Sequence, residues 1–190
     1  MKSIYFILFF ALFNLGLMAQ VNGFNRKIKL ITNKTQISML NGNPISFYLN
    51  HPCIDKISKK FYKGALAFRR DSIPNNIMDS LLTRNSETRP FYFFLFNQFV
   101  VQVSGKMTDR YAFICTEFVE NYPCEFFNSF NQPYIDINVV KWTTFIGMTL
   151  KYRARYADFK GKIDLQLRDK CFDIQDLAKS FFNEVRMCLP

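Results

Sequence analysis

The amino-acid sequence predicts an all-α, or mostly α, fold. The expected form is a single domain of six or seven helices, packed as an irregular orthogonal bundle or a short helical superhelix. Three observations carry this expectation. Apolar residues recur at spacings of three and four over several segments, as in Tyr111, Cys115, Phe118 and Tyr122, which places them on one face of a helix. Prolines stand where helices begin, at Pro52, Pro74 and Pro90, and the first helical turn tolerates a missing N–H. Strand-like alternation is confined to short stretches near residues 28–39 and 163–167.

Taken in chain order, residues 1–19 read as a secretory signal peptide. Met1-Lys2 gives a positive start, Ile4–Ala19 is almost wholly apolar, and Ala19 supplies the small residue before the cut. An uncleaved anchor is the competing reading, but the run falls short of the roughly 20 residues a spanning helix needs. Export to a periplasmic or extracellular location follows as an expectation. Residues 20–50 form an irregular basic segment. Ile28–Leu30 and Gln36–Met39 alternate around Asn33-Lys34 and suggest a short hairpin, and Asn41-Gly42-Asn43-Pro44 is a turn.

The helical domain is expected over 51–190. Its first helix starts at Asn50 or His51, with Pro52 in the first turn. Ile54, Ile57, Phe61, Leu66 and Phe68 form its inner stripe, and Lys56, Lys59, Lys60 and Lys63 its outer face. A second helix begins near Pro74 with Ile77, Leu81 and Leu82 inward. Thr88-Arg89-Pro90 starts the third, Phe91–Val103, which is apolar almost throughout and ends at Ser104-Gly105. It reads as the central buried helix, although its Phe and Val content also suits a strand. Thr108 or Asp109 caps the fourth helix, which Pro123 ends, with a short turn following through Phe130. Asp136 or Asn138 caps the fifth, with Trp142, Phe145, Ile146, Thr149 and Leu150 on one face. Residues 151–162 are basic and loosely patterned, and the last helix starts at Asp173.

Charge is distributed unevenly. The chain has 25 Lys and Arg against 15 Asp and Glu, a net +10. Residues 20–70 hold ten basic groups and only Asp55. A patch of that sign attracts phosphates, anionic head groups or an acidic partner. The candidate binding face is Lys56, Lys59, Lys60 and Lys63 followed by Arg69 and Arg70, with Phe61, Tyr62 and Phe68 interleaved. Sequence-specific nucleic-acid recognition is not expected. The competing readings are an ordinary solvated helix face and an A/T-rich codon bias, because Phe, Ile, Asn, Lys and Tyr make up 79 of the 190 residues.

Catalytic and metal-binding sets are poorly represented. The single histidine, His51, excludes two-histidine zinc sites. There is no phosphate-cradling glycine loop, G-x-S-x-G, H-E-x-x-H or EF-hand motif. No cofactor, metal or catalytic residue is therefore expected. Glu117, Glu120 and Glu125 could pair as acid and base, but solvated helical glutamates are the commoner case. The five cysteines are Cys53, Cys115, Cys124, Cys171 and Cys188. An odd count leaves at least one unpaired within the chain. Cys171–Cys188 is the favoured pair, and Cys115 reads as a buried thiol. The functional expectation is a non-enzymatic exported module that binds a protein partner or an anionic surface. The alternatives are a carrier holding an apolar ligand in a Phe-lined interhelical cavity and an enzyme with an unrecognised site.

Overall fold

The computed structural model describes residues 30–33, 35–69, 75–102, 108–133, 135–151 and 153–189. The predicted signal peptide and the first part of the basic segment lie outside these residues. The fold is mostly helical, as expected. Nine α-helices occur among the described residues: α1 (Ile45–Asn50), α2 (Lys56–Tyr62), α3 (Asn75–Leu81), α4 (Arg89–Val100), α5 (Thr108–Asn121), α6 (Pro123–Asn128), α7 (Val139–Leu150), α8 (Arg153–Lys170) and α9 (Gln175–Met187). The count exceeds six or seven because α1 and α6 are one- to two-turn helices in segments that read as a loop or a turn. Among the described residues no helix is long and apolar enough to cross a membrane.

Helix α4 is the centre of the domain. Ten of its twelve residues are buried, as expected of a helix that is apolar on all sides. Its rings reach five other helices, Phe93 meeting Phe126 of α6 edge-on. Phe91 stacks on Tyr48 of α1, Phe99 on Phe61 of α2, Phe93 on Phe118 of α5, and Phe96 meets Trp142 of α7 edge-on. Its one buried amide is satisfied on both sides. Asn97 Nδ2 donates to the Phe93 carbonyl at 3.0 Å, and Asn97 Oδ1 accepts from Trp142 Nε1 at 2.9 Å. That arrangement avoids the cost of an unpaired polar group in the core. The most extensive helix contact is α5 against α7, followed by α9 on α7 and α3 on α4. Gly147 of α7 admits the chain end: a Cβ there would lie 2.7 Å from the Cys188 carbonyl oxygen.

The N-terminal β-structure differs from the expected hairpin. Strand β1 (Leu30–Thr32) pairs antiparallel with β4 (Ala67–Arg69), Ile31 opposite Phe68. The hairpin joins β2 (Met39–Leu40) to β3 (Asn43–Pro44) instead. Its turn is Asn41-Gly42, both with positive φ, at 48° and 77°, the conformation an Asn-Gly hairpin turn adopts readily. Asn33 is not a hairpin tip. Its Nδ2 donates to the Tyr62 carbonyl at 2.6 Å, and the Tyr62 hydroxyl bonds both the N–H and the carbonyl of Ile37, so the segment wraps against the end of α2.

The expected first helix is shortened at both ends: α2 stops at Tyr62, so Leu66 lies beyond it and Phe68 stands in β4 instead of extending the helical stripe. Pro52 lies in a turn between α1 and α2, and the cap of α2 is Asp55. Ile57 consequently faces outward, 46 % exposed, instead of joining the inner stripe. Residues 163–167 resolve as helix within α8. There Ile163 and Leu167, four apart, are buried while Leu165 is exposed, a helical pattern.

The disulfide pairing is corrected. Cys171 bonds Cys124, with Cα atoms 5.9 Å apart, and Cys188 is a free thiol. Cys171 and Cys188 flank α9, whose 13 residues rise roughly 20 Å, well beyond disulfide reach. Cys124 sits in α6, which packs against α8, and so meets Cys171 where α8 ends. Cys115 is fully buried, as expected, and burial pushes its thiol pKa well up.

One core group is unsatisfied. The Tyr111 hydroxyl is fully buried and has no hydrogen-bond partner among the described residues; burial pushes its pKa far up, so it stays protonated. An orphaned buried donor costs about 1–3 kcal/mol. Tyr111→Phe is therefore expected to raise the unfolding free energy by about 1 kcal/mol, read as a higher urea midpoint. A lower midpoint would mean that the hydroxyl is bonded after all.

Candidate functional site

The lysine face is built by the cap of α2. Asp55 Oδ1 accepts the Ser58 N–H at 2.9 Å and Oδ2 accepts the Ser58 hydroxyl at 2.6 Å, satisfying donors at the helix start. The same carboxylate accepts from Asn76 of α3 at 2.8 Å and from the Tyr92 hydroxyl of α4 at 3.1 Å. Partial burial pushes the Asp55 pKa up, but the Ser58 and Tyr92 hydrogen bonds outweigh it and hold the carboxyl below its ordinary value. One charged group thus locks α2 against α3 and α4 and fixes which side of α2 faces out.

That outer side carries Lys56, Lys60 and Lys63, all exposed. Their spacings of four and three put them on one face, opposite buried Ser58, Phe61 and Tyr62. Among the described residues none of the three has an acidic partner. Lys59 is different: its Nζ donates to the His51 carbonyl at 2.8 Å, so it braces the α1–α2 turn. Arg69 is exposed at the end of β4, and Arg70 lies outside the described residues. The interleaved aromatics serve the core. Phe61 and Tyr62 are buried, and Phe68 packs on Phe61 and Phe99.

The other polar candidates are dispersed. Glu117 and Glu120 line a surface groove of about 360 Å³ with Asp158 and Lys162. Lys162 donates to Glu120 Oε1 at 2.6 Å, and this bond with the surrounding carboxylates raises its pKa. Glu125 is elsewhere, and His51 lies beside α1, its Nδ1 accepting the Cys53 N–H at 3.2 Å. Neither His51 nor any cysteine lines the groove. Among the described residues no group of three or more His, Cys, Asp or Glu is placed to hold a metal.

A second feature was not visible in the sequence. A cleft of about 220 Å³ opens where the β2–β3 turn meets α4, α5 and α6. Leu40, Pro90, Phe93, Phe118 and Ile135 form its apolar floor, and Asn41, Ser86, Glu125, Asn128 and Gln132 its rim. Beside it, buried Arg89 is fully engaged. Nε and Nη2 donate to the two Glu125 oxygens at 2.7 Å each, and Nη1 donates to the Thr83 carbonyl. The guanidinium lies 3.6 Å over the Tyr122 ring, a favourable stacked position. Arg89 falls in a helix-start phrase and Glu125 thirty-six residues later, so only a contact between α4 and α6 reveals the pair.

Among the described residues the phenylalanines mostly fill the core, and only Phe93 and Phe118 touch this cleft. No family model matches the chain, and no curated protein or solved structure matches it.

Proposed function

We propose that this protein is an exported, non-enzymatic binding module that docks an anionic surface through the lysine face of α2. The observation that carries the reading is the set Lys56, Lys60 and Lys63, exposed on one helix face and in no salt bridge among the described residues. Three like charges held in register lose little by approaching an anionic surface, since no internal ion pair has to break. Exposed Ile57 beside them adds a small apolar contact. The Cys124–Cys171 bond supports export, because disulfides persist in oxidising compartments.

Co-sedimentation with phosphatidylserine-containing vesicles tests the reading. Each lysine near such a surface contributes about 1 kcal/mol. The triple variant Lys56→Ala, Lys60→Ala, Lys63→Ala is expected to bind about 100-fold more weakly, and added salt should weaken the wild-type chain by screening. Equal binding to neutral vesicles, or a salt-independent affinity, would remove the electrostatic basis of the proposal.

A further inference from the structure

We infer that the cleft between the β2–β3 turn and helices α4–α6 is a binding site for a small organic ligand with an apolar body and an N–H donor head, of the amide or amine class. The inference is independent of the lysine face and rests on how the polar groups around the cleft are committed.

Arg89 is buried and does not line the cleft, so it offers an anion no contact there. Its guanidinium spends its charge on both Glu125 oxygens, donates to the Thr83 carbonyl and covers the Tyr122 ring. Glu125 is not exhausted in the same way. Its side chain is 40 % exposed, and a carboxylate has about four acceptor positions, of which the arginine takes two. Acceptor capacity therefore remains on a rim group of the cleft. Around it, the side chains of Asn41, Ser86, Asn128 and Gln132 make no hydrogen bond among the described residues. Four uncommitted amide or hydroxyl groups beside an apolar floor match a ligand that both donates and accepts. The carboxylate selects the donor, and the amides are left to meet a carbonyl or hydroxyl.

Size sets a further limit. Sites for drug-sized ligands run from about 300 to 1,000 Å³, whereas this cleft holds about 220 Å³. The ligand is then of single-ring size, and the affinity of such a fragment is on the order of 1 mM. This is a smaller and more polar site than a Phe-lined carrier cavity.

Three probes of one shape separate the possibilities: benzamide, a neutral donor; phenethylamine, a cationic donor; and benzoate, an anion without a donor. Saturation-transfer NMR and titration calorimetry on the folded chain are expected to detect benzamide and phenethylamine at about 1 mM. Benzoate should bind at least about tenfold more weakly, because it would meet Glu125 with no cation left to receive it. Asn128→Trp, a change at the exposed end of α6 that fills the mouth, should weaken benzamide at least about fivefold with the circular dichroism spectrum unchanged. If that variant does not fold, Gln132→Trp, at another lining position, serves the same purpose. Benzoate binding as tightly as benzamide, benzamide indifferent to a blocked mouth, or no transfer to any probe at about 5 mM would each overturn the inference.

Discussion

Reduction of the Cys124–Cys171 bond lowers the unfolding free energy by about 4 kcal/mol. The bond closes a loop across a sequence separation of 47, and the chain-entropy relation assigns about that value to a loop of such length. The physical source is the unfolded state: the cross-link removes conformations that α7 and α8, which lie between the two cysteines, would otherwise explore. Urea unfolding with and without a phosphine reductant measures the effect. The double variant Cys124→Ser, Cys171→Ser should reproduce it under oxidising conditions, and Cys188→Ser should not. Equal effects from Cys188→Ser and Cys124→Ser would instead point to a bond involving the chain end.

Phe126→Ala is expected to cost about 3–5 kcal/mol, the usual range for deleting a buried ring. Phe126 is fully buried in α6 and its ring meets six others: Phe93, Phe118, Phe127, Phe130, Trp142 and Phe181, at centroid distances from 4.8 to 6.4 Å. These rings come from α4, α5, α6, α7, α9 and the short turn after α6. No single neighbour can move in without abandoning its own contacts, so the cavity stays open. The control is Phe172→Ala. Phe172 is 68 % exposed, and its removal should change the urea midpoint by no more than about 0.5 kcal/mol in free energy. A Phe126→Ala loss as small as that of the control would mean that the core repacks freely around α6.

The two substitutions also separate kinds of legibility. Phe91–Val103 is readable as a central helix because a long apolar run with a Pro start and a Gly stop has few other stable solutions. The α5 and α7 faces follow from spacing alone, and Cys115 falls on a buried face for the same reason. The shortening of the first helix is harder to read. Pro52 suits a first helical turn as well as a loop, while Asp55 caps α2 through Ser58 and is held further by Asn76 and Tyr92. Ile57 then points outward although its spacing fits an inner stripe.

The lysine face was legible as four residues at helical spacing, but the structure reassigns Lys59 to a backbone carbonyl and keeps Lys56, Lys60 and Lys63. Periodicity reports which side of a helix a residue occupies; it does not report which backbone atoms come within reach of a long side chain. Arg89 and Glu125 show the same limit more strongly. Neither stands in a recognisable motif, and their pairing depends on the packing of α6 beside the start of α4.

By itself the sequence determines the helical class, the buried centre, the Asn-Gly turn and the uneven charge, because each depends on residues within a few positions of one another. Tertiary structure decides the β1–β4 pairing, the partner of Cys171, the Arg89–Glu125 clamp and the cleft beside it. The three pairings join positions 35 to 47 residues apart, the cleft joins positions still further apart, and such contacts are selected by how whole elements pack, a property that no local pattern of residue types encodes.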